Sequence, residues 1–319
     1  MKSVVLYIDK ISEPMEELAI KSFPDTLQLK FLYPKNGQKG SLTEAHYILD
    51  THAQVTKDTI DASPNLKMIQ RTGVGYDNVD VEYAASKNIP VSVTLGTNAS
   101  SVAELVVLYM LTLFRNIIIL DRQSKEGIWD NWKYRHKSFE LFGKTVGIIG
   151  GGFIGREVMK RLKPFGVSLV YHDVNRLSPQ LEEELGVEYR EKNALLVLSD
   201  VVSLHVPWSE NNRWLIGTDE LALMKKTAIL INTSRGPVVN QNALVDAIRR
   251  GSIAGAGLDV FDPEPFHKDS DILKFDNIIT TPHVGAATKD NFSRAYVFCA
   301  KNILNMEQGI KAENIVNMT

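Results

Sequence analysis

The stretch Thr145-Val-Gly-Ile-Ile-Gly-Gly-Gly-Phe-Ile-Gly155 joins an apolar run to a glycine-rich segment with the spacing G-x-G-x-x-G. In such a segment Gly150 would allow a tight strand-to-helix turn, Gly152 a close approach to a pyrophosphate, and Gly155 close packing of the helix on the sheet. The segment therefore predicts a strand, then a helix over Phe153–Leu162 whose N-terminal amides and positive dipole end bind phosphate.

A second apolar run, Val167-Ser-Leu-Val-Tyr-His, ends at Asp173. A carboxylate at this place accepts hydrogen bonds from the adenosine ribose hydroxyls and repels a 2′-phosphate. The strand, the glycine spacing and the acid together predict NAD as the cofactor and favour it over NADP. Arg176 follows closely and would weaken that preference if it reached the ribose.

Length and composition narrow the class of protein. At 319 residues with a net charge of −2 and no basic stripe, the chain predicts two domains and no nucleic-acid partner. Cys299 is the single cysteine, so an internal disulfide is excluded and a cytoplasmic location is favoured. No Cys/His cluster has zinc spacing, and we expect no metal. The apolar run Leu105–Phe114 is too short for a membrane span and predicts a helix buried on most sides.

Strand-like and helix-like patterns alternate along the chain, which predicts parallel sheets. In the first part we expect strands at Val4–Ile8, Tyr47–Leu49, Met68–Arg71 and Val91–Val93, with a helix at Glu13–Ser22. From Thr145 we expect six strands, at Val146–Ile149, Leu169–His172, Val201–His205, Ala228–Asn232, Ala256–Asp259 and Ile278–Thr281. The helices between them are predicted at Phe153–Leu162, Pro179–Leu185, Lys192–Leu196, Thr218–Leu223 and Asn240–Arg250, and a last helix at Lys289–Gly309. The second series predicts a complete doubly wound dinucleotide-binding domain.

Three further segments carry polar chemistry at predicted strand ends: Asn232-Thr-Ser-Arg-Gly-Pro237, Gly257-Leu-Asp-Val-Phe-Asp-Pro-Glu-Pro265 and Thr281-Pro-His-Val-Gly-Ala286. Ligands of open α/β sheets bind beyond the carboxyl ends of the strands. An arginine, a carboxylate and a histidine placed there, beside a nicotinamide, form a site suited to reducing a ketone.

With these motifs the chain resembles the D-isomer-specific 2-hydroxyacid dehydrogenase family over nearly its whole length. The resemblance also includes Arg71–Asp80, Asn98 with Val102–Glu104, Leu204–Pro207 and Pro282–Gly285. It implies an α/β fold of two Rossmann-like domains with doubly wound parallel sheets. A cofactor domain of residues 100–288 would be inserted into a flavodoxin-like substrate domain of residues 1–99 and 289–319, with the active site in the cleft. It also implies a homodimer formed through the cofactor domain, with the segment around Leu105–Trp132 as the arm.

The resemblance assigns roles to individual residues. His283 would be the general acid/base, Glu264 would hydrogen-bond its other ring nitrogen, and Arg235 would bind the substrate carboxylate. The backbone amides around Val74 and Gly75 would hold that carboxylate from the other domain. The cofactor would contact Gly150, Gly152, Phe153, Ile154, Gly155, Asp173, His205, Val206, Pro207, Thr233, Asp259 and Gly285, with Asp259 at the nicotinamide carboxamide.

The substrate is less well defined than the reaction. We expect a small 2-keto or 2-hydroxy acid such as glyoxylate, hydroxypyruvate or pyruvate, which the sequence does not rank. The phosphoglycerate branch typically has an arginine where Asp50 aligns, and an aspartate would repel a phosphate; the chain also ends at Thr319, with no room for a C-terminal regulatory domain. Glu264 stands where the formate dehydrogenase branch usually has glutamine. Two alternatives stay open: a corepressor-like protein that senses NADH, and a dehydrogenase of another oxyanion such as phosphite.

Overall fold

The computed structural model describes residues 2–318, and the chain folds into two compact units. The first, here called the split unit, runs to Asn98 and resumes at Ala286. The second, the continuous unit, is Ala99–Gly285. Each unit is built around its own parallel sheet, as the alternating patterns predicted.

The split unit contains a five-stranded parallel sheet in the order β2-β1-β3-β4-β5, the flavodoxin-like order. Its strands are β1 (Val4–Tyr7), β2 (Gln28–Phe31), β3 (Tyr47–Asp50), β4 (Met68–Arg71) and β5 (Val91–Ser92), and its first helices are α1 (Glu13–Ser22), α2 (Lys57–Asp61) and α3 (Val81–Ser86). Strand β2 was not predicted from the sequence. That strand lies at the sheet edge and reads Gln-Leu-Lys-Phe, so half of its short run is polar.

Successive residues of the strands point to opposite faces of the sheet and pack in two separate hydrophobic cores. Val5 and Tyr7 pack on one face with Ala19 of α1, while Leu6 and Ile48 pack on the other with Ile60 of α2. This alternation follows from the two-residue period of a strand. The C-terminal helix, Lys289–Glu307, packs on the first of these faces with Tyr296, Cys299, Ala300 and Ile303.

The continuous unit contains a seven-stranded parallel sheet in the order β12-β11-β10-β9-β6-β7-β8. Its strands are β6 (Thr145–Ile149), β7 (Ser168–His172), β8 (Val187–Tyr189), β9 (Val201–Leu204), β10 (Ile229–Asn232), β11 (Gly255–Leu258) and β12 (Ile278–Thr280). From β6 outwards this is the doubly wound arrangement of dinucleotide-binding folds. The expected number of six strands is wrong by one, because β8 is an edge strand of three residues with a single buried apolar side chain, Val187.

The helices of the continuous unit are α4 (Ala99–Phe114), α5 (Ile117–Lys125), α6 (Phe153–Leu162), α7 (Pro179–Leu185), α8 (Lys192–Leu198), α9 (Thr218–Leu223) and α10 (Gln241–Arg249). Helices α6, α7 and α9 have the predicted bounds, since Gly152, Ser178 with Pro179, and Gly217 mark their starts. Short 3₁₀ turns connect several of the other elements.

The most apolar segment of the chain forms α4, which buries Val102, Val106, Tyr109 and Met110 and leaves Leu108 exposed. Helix α5 continues after Asn116, whose φ of 52° breaks the helix, and the two axes differ by 63°. Among the described residues, no single helix has both the length and the apolar character needed to cross a membrane, although α4 and α5 would pass that test if joined.

Candidate active site

The glycine-rich turn after β6 has the geometry that its spacing predicted. Gly150 has a φ of 105°, and a Cβ added there would collide with the carbonyl oxygen of His205. A Cβ at Gly155 would collide with the carbonyl oxygen of Gly150. The first turn of the helix can therefore pack against the end of β6 only because residue 155 has no side chain. A Cβ at Gly152 would meet no described atom within 4 Å, which leaves open space in front of the helix.

The N-terminus of α6 lies at this open space. Gly152 is the N-cap residue and has no side chain that could cap the first amides. The first-turn amides, including those of Phe153 and Ile154, have no partner within the helix. Unpaired amides at the positive end of a helix dipole bind anions such as a pyrophosphate.

Asp173 follows β7 and is tied to the glycine-rich turn. Its Oδ2 accepts a hydrogen bond of 2.6 Å from the amide of Gly151, and its Oδ1 accepts one of 2.9 Å from Asn175. A carboxylate has lone pairs for further donors, so these bonds orient it without saturating it. Arg176 forms a bidentate pair with Glu182, with Nε–Oε1 at 2.8 Å and Nη2–Oε2 at 3.0 Å. The guanidinium is thereby held on Glu182, and it lowers the pKa of that carboxyl to about 2.

The loop after β10 presents Arg235. Asn232 holds this loop, because its Oδ1 accepts from the amide and the hydroxyl of Ser234 while its Nδ2 donates to the carbonyl oxygen of Arg235. A Cβ on Gly236 would overlap the carbonyl group of Phe261. The glycine therefore lets the arginine loop lie directly against the segment that leads to Glu264.

His283 and Glu264 form the central pair of the site. The Nδ1 of His283 lies 2.8 Å from Oε2 of Glu264, and Oε1 of Glu264 accepts a hydrogen bond of 2.8 Å from the amide of Phe261. Burial raises the pKa of Glu264, but the hydrogen bonds from His283 and Phe261 and the nearby charge of Arg235 outweigh it and lower the pKa overall. An ionised Glu264 accepts a hydrogen bond from Nδ1–H, so Nε2 is the ring nitrogen that would exchange a proton with a ligand.

The turn that carries His283 is held by Asp259. His283 has a φ of 54°, and its amide donates to the carbonyl oxygen of Asp259 at 2.9 Å. The Asp259 carboxylate is buried and accepts from the amides of Val284 (2.8 Å) and Gly285 (2.7 Å) and from the hydroxyl of Thr281. This function of Asp259 and of the Gly285 amide was not predicted from the sequence. The contact of Asp259 with the nicotinamide and that of Gly285 with the cofactor stay predictions.

The remaining predicted cofactor residues follow β9 and β10. The Nε2 of His205 lies 2.9 Å from the hydroxyl of Ser203, and desolvation of the ring lowers the pKa of His205 to about 3, so its imidazole is neutral. The Nδ1 of His205 and the hydroxyl of Thr233 are buried polar atoms without a hydrogen-bond partner among the described residues. Val206 and Pro207 continue the same loop and are less buried than the strand before it.

Val74 and Gly75 belong to the split unit, in the loop after β4. The Nε of Arg71 donates to the carbonyl oxygen of Gly75 at 2.7 Å, and Arg71 forms an ion pair with Asp50. Asp50 is fully buried, so the expectation that it repels a substrate phosphate is wrong: Arg71 on the neighbouring strand neutralises it. Within residues 2–318, no cluster of three or more His, Cys, Asp or Glu side chains has the geometry of a metal site.

Comparison with known proteins agrees with this geometry. Residues 107–285 match the NAD-binding domain of the D-isomer specific 2-hydroxyacid dehydrogenases. The chain belongs to this family. It is 38% identical over 97% of its length to the D-3-phosphoglycerate dehydrogenase of Methanocaldococcus jannaschii, of which it spans only 59%. It is 39% identical to the glyoxylate reductase of Thermococcus litoralis, covering 89% of this chain and 88% of that protein.

A solved structure of the same family supports the cofactor. The D-lactate dehydrogenase of Aquifex aeolicus, crystallised with NAD and lactic acid, superimposes with a TM-score of 0.82 at 30% identity, covering 99% of both chains. This D-2-hydroxyacid dehydrogenase family member thus has the NAD-binding domain that Gly150–Gly155 and Asp173 predicted. The hydrogen bonds by which Asn232 fixes the Arg235 loop were not predicted, although Asn followed by Thr and Ser is typical of turns that side chains stabilise.

Proposed function

We propose that this protein reduces small 2-keto acids to D-2-hydroxy acids with NADH, and catalyses the reverse oxidation with NAD. The observation that carries the proposal is the His283–Glu264 pair, with Nδ1 and Oε2 at 2.8 Å, in the unit that also carries the glycine-rich turn. Arg235 supports the proposal, because its positive charge is close enough to Glu264 to lower the pKa of that carboxyl. The arginine therefore lies near the His283–Glu264 pair.

The described residues fit a dinucleotide. The space in front of Gly152 would take the pyrophosphate, Asp173 would accept from the adenosine ribose, and the unpartnered hydroxyl of Thr233 would find a partner in the bound ligand. When bound, NADH supplies the hydride that reduces the ketone carbon. His205, Val206, Pro207 and Gly285 would line the same groove.

In the proposed reaction His283 gives its Nε2 proton to the ketone oxygen, which becomes the hydroxyl of the product. Glu264 holds Nδ1–H, so that the ring keeps its orientation with Nε2 directed to the ketone oxygen before transfer. Arg235 binds the substrate carboxylate, because its planar fork matches two carboxylate oxygens. The reverse reaction uses the same His283 nitrogen as the base.

We propose residues 1–99 and 289–319 as the substrate domain, with the amides around Val74 and Gly75 as a second holder of the carboxylate. The hydrogen bond from Arg71 to the carbonyl oxygen of Gly75 supports this, because it fixes a peptide of that loop. Glyoxylate, hydroxypyruvate and pyruvate are the proposed substrates, since relatives named for glyoxylate and hydroxypyruvate are 39–40% identical to this chain.

We also propose a cytoplasmic homodimer. In the arm segment Leu105–Trp132, large apolar side chains are exposed, with Trp129 at 88% and Trp132 at 71%. Exposed apolar clusters of this kind mark association surfaces. The free, buried thiol of Cys299 is compatible with a reducing compartment.

The decisive experiment measures NADH oxidation by the purified protein with glyoxylate, hydroxypyruvate, pyruvate and phosphohydroxypyruvate. Turnover of the unphosphorylated acids that is lost in His283→Ala supports the proposal. If none of the acids is reduced while NADH binds tightly, the protein is a sensor of NADH or acts on another oxyanion, and the proposal fails.

A further inference from the structure

Helix α4 presents a buried tyrosine to the carboxyl end of β11. Tyr109 is 2% exposed, and its hydroxyl hydrogen-bonds to Oγ1 of Thr281 and lies 3.3 Å from the carbonyl oxygen of Leu258. The ring lies over Gly257, where an added Cβ would come within 2.8 Å of Cγ of Tyr109. The glycine of this strand therefore provides the space for the tyrosine.

The direction of the hydrogen bonds follows from the number of protons. Thr281 donates its single hydroxyl proton to Oδ1 of Asp259, a carboxylate oxygen that also accepts from the amide of Val284. Thr281 has no second proton to give, so Tyr109 is the donor in the bond between them. The single hydroxyl proton of Tyr109 is directed to Thr281, and the carbonyl oxygen of Leu258 at 3.3 Å is a second, more distant acceptor. The three side chains form a directed chain that runs from Tyr109 through Thr281 to Asp259.

This series of hydrogen bonds ends at the turn that carries His283. Asp259 uses its two carboxylate oxygens on the amides of Val284 and Gly285, and its carbonyl oxygen on the amide of His283. His283 needs such support because its φ of 54° lies in the left-handed region, which residues other than glycine rarely adopt. A loosened Asp259 would let the imidazole move away from Glu264.

We propose that Tyr109 is a positioning residue for His283. Its hydroxyl fixes Thr281, Thr281 completes the hydrogen bonds of Asp259, and Asp259 holds the turn so that Nδ1 of His283 stays on Glu264. Tyr109 touches none of the reacting groups and acts only through these two residues. The kinetic part of the inference rests on the proposed function, whereas the structural part does not.

The kinetic test uses Tyr109→Phe, Thr281→Val and the double variant, with Thr281→Ser as the conservative replacement. For both single variants we expect kcat to fall about tenfold with KM for NADH within about twofold of the wild type. The double variant should be no slower than either single variant, because both substitutions interrupt the same series of hydrogen bonds. Thr281→Ser should keep most of the wild-type rate, because it keeps the hydroxyl. Additive losses, or wild-type kcat in Tyr109→Phe, would overturn the inference.

Tyr47→Phe is the matched control, since Tyr47 is also a buried tyrosine whose hydroxyl is bonded, here to Glu307 in the split unit. We expect wild-type kcat in this variant. An equal fall of kcat in both tyrosine variants would show that any buried hydroxyl has the effect and would contradict the inference.

The structural test is backbone amide exchange at Val284 and Gly285, measured on the folded protein with NADH bound. Both amides should exchange at least about fivefold faster in Tyr109→Phe and Thr281→Val, and at the wild-type rate in Tyr47→Phe and Thr281→Ser. Unchanged exchange in Tyr109→Phe refutes the inference even if 2-keto acids are reduced. If no 2-keto acid is reduced, the proposed function fails, and amide exchange alone decides on Tyr109.

Discussion

Asp50 and Arg71 are direct neighbours on β3 and β4 and form an ion pair inside the split unit, with side-chain exposures of 0% and 7%. The Nδ2 of Asn78 donates to the same carboxylate oxygen at 3.1 Å, and the Nε of Arg71 donates to the carbonyl oxygen of Gly75. The ion pair is thus connected to the loop that contains Val74 and Gly75. Its charges stabilise each other and also fix the start of this loop.

We expect Arg71→Met to lower the free energy of unfolding by about 3–5 kcal/mol, because it leaves a buried carboxylate without its counter-charge. The double variant Asp50→Leu/Arg71→Met should recover much of this loss, since no buried charge remains. Denaturant-induced unfolding measures the free energy of unfolding of the single and the double variant. Arg122→Met, which breaks an exposed pair with Asp276, is the control and should leave the free energy of unfolding nearly unchanged, because solvent screens both charges. Equal losses at the buried and the exposed pair would contradict the prediction.

Asp50 should also give the split unit a pH-dependent stability. Burial raises the pKa of Asp50 to about 6, although the charge of Arg71 acts in the opposite direction. A carboxyl with a raised folded-state pKa binds its proton more tightly when folded, so its contribution to stability increases as the pH falls from about 6 towards its unfolded value of 3.8. Melting temperatures of the wild type and Asp50→Asn should therefore diverge in favour of the wild type over this range. Parallel curves would show that Asp50 does not titrate there.

His283→Ala should lower kcat by about 10²–10⁴-fold, because the ketone oxygen loses its proton donor in the transition state. The dissociation constant of NADH should stay within about twofold, since the glycine-rich turn is untouched. Steady-state kinetics and fluorescence titration with NADH measure the two effects. His267→Ala, an exposed histidine of the same unit, should behave as the wild type. Unaltered turnover in His283→Ala would remove His283 from the mechanism.

Asp173→Ala should weaken NADH binding by about tenfold or more and improve NADPH binding, because the ribose loses a charged acceptor and a 2′-phosphate is no longer repelled. The variant also loses the hydrogen bond from the Gly151 amide, so its melting temperature is to be measured alongside. Asp219→Ala, at an exposed carboxylate on α9, serves as the control. If neither affinity changed, Asp173 would not contact the ribose.

Substitutions at two glycines of the turn should affect cofactor binding and folding separately. Gly152→Ala places its methyl group in open space, so the free protein should keep its stability within about 1 kcal/mol while NADH binds at least about tenfold more weakly. Gly155→Ala collides with the carbonyl oxygen of Gly150 and should lower stability by about 1–3 kcal/mol. Thermal unfolding and NADH titration of both variants measure this. Normal NADH affinity in Gly152→Ala would mean that the pyrophosphate lies elsewhere.

The sequence predicted those parts of the fold that local chemistry determines. The glycine spacing of 150–155 determines a turn within six residues, and Pro179 or Gly217 determines where a helix starts. The edge strands β2 and β8 were missed, because an edge strand buries little and its polar residues look like a loop. The catalytic candidates Arg235, Glu264 and His283 were found through motifs rather than through any periodicity.

Contacts between residues distant in sequence could not be predicted. Asp50 was predicted to repel a substrate phosphate, because its partner Arg71 is 21 residues away and no local pattern indicates that the two are buried together. Tyr109 stood in an apolar run, where a tyrosine suggests packing and nothing marks its hydroxyl as a donor to Thr281. Both depend on which strand lies beside which, and sequence patterns determine that order only coarsely.

The C-terminal helix has a consequence for the order of events during synthesis. Tyr296, Cys299 and Ile303 cover a sheet face whose strands β1, β3 and β4 are translated before the continuous unit. That face lacks this part of its cover until the helix Lys289–Glu307 is translated, whereas the continuous unit is complete at Gly285 and can fold earlier. The segment up to Asn98 is therefore made before the continuous unit but completes its core after it.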